Sequence, residues 1–192
     1  MNIKNQIEKA VMVLKKGGII AYPTDTVYGI GCNIFDEKAI KRIFILKNRS
    51  FDKPLSVAVC DFQMLEELAI ITEQDKKILK KFLPGPITFI LPKKPIVSDL
   101  VTAGKKSVGI RIPEHEIVFE IIKRANFPII TTSANVSGKK SPIDAEEVDL
   151  EVDFMVEGEC KHKKPSTVID LKNRKIIRQG IKRKKIKQIL DL

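Results

Sequence analysis

Ile129-Ile130-Thr131-Thr132-Ser133-Ala134-Asn135-Val136-Ser137-Gly138 is the stretch that decides the fold. Its apolar start reads as a buried strand, and the small polar residues that follow read as a loop at the strand's carboxyl end. In α/β sheets, ligands gather outside the carboxyl ends of strands, where amides and hydroxyls face them. A simple Asn/Ser/Gly turn also fits these residues, although a turn does not need so many small polar side chains.

Moving outward, strands and helices alternate. Apolar spacing predicts helices over Asn5–Lys16, from Asp36 through Leu46, over Phe62–Leu68, Thr72–Phe82 and His115–Lys123. Strands are expected at Ile19–Tyr22, Leu55–Cys60, Ile87–Leu91, Ser107–Ile112, Pro128–Thr132, Thr167–Leu171 and Lys175–Arg178. Val27–Ile34 is apolar with Gly29 and Gly31 inside it, a short helix is expected near Ala145–Leu150, and a basic helix at Ile181–Leu190. Such interleaving predicts an α/β fold with a twisted open β-sheet and surrounding helices. Hairpin-like pairs at both ends make the sheet mixed, not parallel.

The 192 residues, 43% hydrophobic, suit a single domain spanning 1–192. No apolar run reaches the ~20 residues of a membrane span, and no secretory signal is expected at the N-terminus. Cys32, Cys60 and Cys160 lack any paired or metal-ligand spacing, and only His115 and His162 could join them. Disulfides and a protein-held metal are therefore not expected, and the chain reads as cytoplasmic. The net charge is +11, and twelve Lys/Arg against one Asp between Lys161 and Lys187 account for all of it. Asp144–Glu159 just before holds eight acids and no base, so the surface is dipolar.

Two further stretches carry chemistry. Lys47-Asn48-Arg49 follows a helix end, with Lys53 close behind; these cations complement a helix dipole, or an anion. Tyr22-Pro23-Thr24-Asp25-Thr26-Val27-Tyr28-Gly29 combines a rigid proline, two hydroxyls and a glycine that permits close approach. Neither is a Walker loop. Arg111 ends an apolar strand just before Pro113, where its fork suits a carboxylate or phosphate. His115 reads as a helix-start residue.

Taken in order, these stretches resemble the YrdC-like family of threonylcarbamoyl-AMP synthases. The resemblance rests on Tyr22–Gly29, on Lys47-x-Arg49 with Lys53-Pro54-Leu55, and on Leu83-Pro84-Gly85-Pro86-Ile87-Thr88. It continues through Val108-Gly109-Ile110-Arg111-Ile112-Pro113, Thr131–Gly138 and Pro165-Ser166-Thr167-Val168-Ile169-Asp170. It implies an enzyme that joins L-threonine, bicarbonate (or CO2) and ATP into threonylcarbamoyl-AMP and pyrophosphate, for modification of tRNA. By that resemblance Lys47, Arg49, Lys53, Ser107, Ser133, Asn135, Ser141 and Arg178 would contact ATP. Lys47, Arg49, Ser133 and Asn135 would be the catalytic group. Thr26, Arg111, Thr131 and Ser166 would hold threonine. Mg²⁺ is expected with the triphosphate, held mainly by phosphates and water. A downstream threonylcarbamoyl transferase would take the product. Ala58 stands where many longer relatives carry a histidine near threonine.

The alternative is a non-catalytic module that holds double-stranded RNA or ribosomal RNA on a basic concave surface. The Lys161–Lys187 block supports contact with tRNA or double-stranded RNA, since phosphate binding needs only cations. The absence of interleaved aromatics for base stacking counts against it.

Overall fold

The computed structural model describes residues 1–181 and Ile186. The helix expected at Ile181–Leu190 therefore lies outside the described residues, apart from Ile186, which is buried in the main core. The chain runs α1 (Ile3–Lys15), β1 (Ile20–Tyr22), β2 (Gly29–Gly31), α2 (Glu37–Leu46), β3 (Ser56–Ala58), α3 (Phe62–Leu68), α4 (Glu73–Leu79) and β4 (Ile87–Pro92). It continues with α5 (Asp99–Thr102), β5 (Ser107–Arg111), α6 (Glu116–Ala125), β6 (Ile129–Ser133), a 3₁₀ turn at Ala145–Glu147, β7 (Phe154–Met155), β8 (Thr167–Asp170) and β9 (Lys175–Arg178).

Helix starts follow their caps. The side chains of Asn2, Asp36, Asp61 and Ser98 accept from backbone amides of the first turns of α1, α2, α3 and α5, and Thr72 with Asp75 forms a capping box on α4. Two expected helices were too long, and the strand expected over Leu55–Cys60 is confined to Ser56–Ala58. The helix expected over Thr72–Phe82 stops at Leu79, because Leu79, Phe82 and Leu83 all turn into the core. The one expected near Ala145–Leu150 is a single 3₁₀ turn, with Leu150 and Val152 packed on the core from irregular chain. Two elements were not anticipated, the four-residue α5 and the two-residue β7.

The nine strands form one mixed sheet in the order β7-β1-β2-β6-β3-β5-β4-β8-β9. Pairs β1/β7, β3/β5 and β4/β8 are parallel, and the other neighbours antiparallel. Alternating side chains separate two cores. Val57, Phe89, Ile110 and Ile130 pack with α2, α3 and α4 on one face. On the other face Ile20, Tyr22, Ala58 and Ile129 pack against α1 and α6. Those two helices cover only part of that face. Ser56, Thr88, Gly109, Arg111, Thr131 and Ser133 share it by register and line an open cleft or its floor.

The two glycines of β2 answer a packing need. A Cβ on Gly31 would collide with the Ile130 carbonyl and stand 3.2 Å from the Tyr22 ring, and one on Gly29 would stand 3.4 Å from the same ring. Tyr22 thus lies across both. Gly31→Ala is expected to lower the unfolding midpoint by roughly 2–10 °C, from overpacking of about 1–3 kcal/mol. An unchanged thermal melt would refute this account of the glycine pair.

Candidate active site

The cleft encloses about 260 Å³ and is walled by the β1–β2 loop, the end of α2 with its following loop, the loop after β6, and β8–β9. Each wall has a local cause. At the end of α2, Lys47 is the C-cap and Asn48 takes a left-handed φ of 45°. The amides of Asn48 and Arg49 then bond to the carbonyls of Ile45 and Phe44, which reverses the chain in a Schellman turn. Asn between the two cations is the residue type that tolerates this geometry.

Lys47 does more than cap. Its side chain is 2% exposed, and its ammonium donates to the carbonyls of Ser133 and Asn135, the latter at 2.6 Å. Its own carbonyl accepts from the Ser137 amide at 2.7 Å. The two stretches that sequence alone marked as cooperating are thus in direct contact. Burial, then the neighbouring Arg49, pulls the ammonium down to about 8. Arg49 donates to the carbonyls of Lys53 and Pro54, which folds the Lys53 loop against the cleft. Asn135 donates to the carbonyls of Val136 and Lys139. Its buried Oδ1 and the Ser137 hydroxyl have no partner among the described residues.

On the other side, Arg178 donates to the Ser166 carbonyl and, at 3.0 Å, to the Ser166 hydroxyl, which is also 3.0 Å from that of Thr88. Burial of its guanidinium lowers its basicity, and the charges of Arg111 and Arg49 add to this. Arg111 is 6% exposed; it donates to Thr26 Oγ1 at 3.0 Å and forms an ion pair with Asp25. Thr24 Oγ1 accepts from the amides of Thr26 and Val27 and pins the turn that presents both partners.

Eleven of the twelve residues named from sequence therefore line one cleft: Lys47, Arg49, Lys53, Ser133, Asn135, Ser141, Arg178, Thr26, Arg111, Thr131 and Ser166. Ser107 stands apart. It opens β5 opposite Pro92, outside the lining, though on the same sheet face as Gly109 and Arg111. Sequence reading passed over Ser56 and Thr88, which also line the cleft. Their signal was a lone hydroxyl inside an apolar strand, with the alternation that puts it on the Arg111 face. It also passed over Asp25.

The remaining candidates are structural. His115 is the N-cap of α6, with Nε2 3.1 Å from the Glu159 carbonyl. The three cysteines are free and buried, and burial raises the thiol of Cys60 to about 11. Acids of the 144–159 stretch pair elsewhere, Asp153 with Arg42 and Glu147 with Lys140. Among the described residues, no group of three His, Cys, Asp or Glu side chains could hold a metal ion, and no helix is long and apolar enough to cross a membrane.

Among the described residues the cleft is lined by Lys47, Arg49, Lys53, Arg111 and Arg178 and by no Asp or Glu, a lining that suits a multiply charged anion. The family model described as "Telomere recombination" (Sua5, YciO, YrdC) matches residues 12–180. The chain belongs to the Sua5/YciO/YrdC family.

Similarity to individual family members is extensive. A Methanocaldococcus jannaschii protein, provisionally named as a threonylcarbamoyl-AMP synthase, is 42% identical over 94% of this chain and 96% of its own length. The threonylcarbamoyl-AMP synthase of Pyrococcus abyssi is 40% identical over 89% of this chain and 54% of its own. The structure of P. abyssi Sua5 complexed with L-threonine superimposes with a TM-score of 0.91, at 37% identity, over 98% of this chain and 58% of that one. This chain thus spans little more than half the length of the Pyrococcus relative. The Sua5/YciO/YrdC fold confirms the mixed α/β sheet read from sequence, with its helices on both faces.

Proposed function

We propose that the protein is an L-threonylcarbamoyladenylate synthase, forming threonylcarbamoyl-AMP and pyrophosphate from L-threonine, bicarbonate or CO2, and ATP. The observation that carries this is a cleft with two kinds of lining. Lys47, Arg49 and Arg178 gather positive charge for a triphosphate, with Lys53, Ser133, Asn135 and Ser141 beside them. Arg111, which donates to Thr26, shares that lining with the hydroxyls of Thr131 and Ser166, the last of which accepts from Arg178; its fork is the group we assign to the threonine carboxylate. The relatives named for this activity, and the threonine-bound relative of the same fold, support the reading.

In the reaction, a carbamate oxygen of N-carboxythreonine attacks the α-phosphorus of ATP and expels pyrophosphate. Charge builds on phosphate oxygens, where fixed cations stabilise it without reorganisation. Carbamates hydrolyse readily, so holding both partners in one cleft also favours transfer over loss to water. Among the described residues the donor set does not suit a resident metal; Mg²⁺ would arrive with ATP, bound by phosphates and water. The product would pass to a downstream threonylcarbamoyl transferase that modifies tRNA. Exposed Lys161, Lys163, Lys164, Lys172 and Lys175 offer a surface for tRNA or double-stranded RNA.

Pyrophosphate release is expected only when ATP, threonine and bicarbonate are all present. An unchanged rate without threonine would end this reading. A pH dependence follows from Lys47. Its charge is present below about 8 and is lost as pH rises through that value. ATP affinity, titrated from pH 7.5 to 9.5, is therefore expected to weaken by up to ~tenfold per unit above pH 8. Lys47→Arg should flatten that profile. A profile of the same slope in this variant would place the titrating group elsewhere.

A further inference from the structure

Asp25 is a carboxylate buried beside a cleft built for anions. It is 0% exposed and outside the cleft lining, and its carboxylate reaches the cleft through Arg111. Oδ1 takes the Arg111 Nη2, while Oδ2 has no hydrogen-bond partner among the described residues. Burying such a pair is expensive, and an apolar pair of similar size often serves stability equally well or better. The arrangement therefore calls for a role other than stability.

The geometry gives one. Arg111 shares its neighbourhood with two further guanidinium groups, since the charges of Arg111 and Arg49 are both felt at Arg178. Left alone, a guanidinium there would be pushed away by its neighbours and drawn toward any phosphate bound between them. Asp25 holds one side of the Arg111 fork and Thr26 Oγ1 the other. Two of the five N–H groups are thereby spent, and Nε has no partner among the described residues. Asp25 is itself fixed: its carbonyl accepts from the His162 amide at 3.0 Å, and Thr24 Oγ1 pins the residues that follow.

We infer that Asp25 is a positioning residue, which aims the Arg111 fork at the substrate carboxylate and balances its charge so that this half of the cleft takes an amino acid and not a phosphate. This rests on the assignment of Arg111 to threonine proposed above. The charges then divide by ligand. The Arg111–Asp25 pair sums to zero, as does a zwitterion, while Lys47 and Arg178, and Arg49 with only the more distant Asp52 acting on it, are left for the triphosphate.

The test is steady-state pyrophosphate release by the full chain, with threonine and ATP varied separately. Asp25→Asn, which keeps the shape and one acceptor, is expected to raise KM for threonine at least tenfold and to leave KM for ATP within about twofold. A folded variant with KM for threonine changed less than twofold, or with both KM values raised equally, would overturn the inference. Should Asp25→Asn fail to fold, Arg111→Gln and the uncharged pair Asp25→Asn/Arg111→Gln decide it. With no guanidinium left to aim, the two should agree in kcat/KM for threonine. A further loss above about threefold in the double variant would mean that Asp25 acts independently of Arg111. If wild-type protein releases pyrophosphate without threonine, the functional reading fails. If its release depends on threonine and the Asp25 variants are indifferent, only the positioning role fails.

Discussion

Arg111→Ala is expected to lower kcat/KM for threonine by about 10²–10³-fold, the equivalent of ~3–4 kcal/mol, within the range for truncating one partner of a buried, hydrogen-bonded charge pair. Arg111 is the cation whose fork reaches Thr26 Oγ1, whereas Arg178 is held by Ser166. The same change leaves Asp25 as a fully buried carboxylate without its partner. Stability should fall as well, by about 3–5 kcal/mol, the usual cost of orphaning a buried charge. Activity and stability can be separated. Asp25→Asn/Arg111→Met removes both charges, and its thermal midpoint is expected to recover most of the loss while threonine turnover stays low. Near-normal turnover in Arg111→Ala would move the carboxylate site elsewhere. A double variant no more stable than the single one would contradict the burial cost.

Lys47→Ala is the second large effect. One lost charge-assisted contact to ATP is worth ~1.5–3 kcal/mol, at least about tenfold in activity. Sequence alone would leave the fold untouched by this change, but the contacts of the ammonium revise that. Without it the Asn135 carbonyl loses the ammonium as its donor, while the Ser133 carbonyl keeps the Asn135 amide, and a buried acceptor left unsatisfied costs about 1–3 kcal/mol. The loop that carries Ser133 and Asn135 should loosen, so KM for ATP is expected to rise together with a fall in thermal midpoint. Arg49→Ala should share the loss of activity of at least about tenfold. Turnover within twofold of wild type in both variants would remove these two cations from the site.

These contacts mark where reading the sequence stopped. The helix ahead of Lys47 was legible from its apolar spacing and from Asp36 as its cap, and the strand ahead of Ser133 from Ile129-Ile130. Convergence of the two stretches was legible from the family resemblance, which grouped them around one nucleotide. What the Lys47 ammonium binds was not, because backbone carbonyls belong to every residue and leave no trace in composition. Asp25 was hidden differently. In a Pro-Thr-Asp-Thr stretch an aspartate looks like an ordinary turn residue, and its partner lies 86 positions away. Strand β7 lay within a run of acids, and its two residues form too short a segment to alternate visibly. The register of the sheet, which turns Ser56 and Thr88 toward the cleft, becomes visible only once the strands are paired.

Because the cleft floor is the sheet itself, this protein should tolerate different kinds of change very unequally. Along β3, β5 and β6, residues that face the cleft alternate with residues locked in the main core, Ser56 with Val57, Arg111 with Ile110, and Thr131 with Ile130. Replacing a floor side chain can retune the chemistry while the core neighbour holds the strand in place. Inserting or deleting one residue within such a strand would exchange the two sets, turning hydroxyls inward and isoleucines toward the ligand. Side-chain changes on the floor can therefore alter the chemistry without displacing the core, whereas length changes should collect in the loops, where no parity has to be kept.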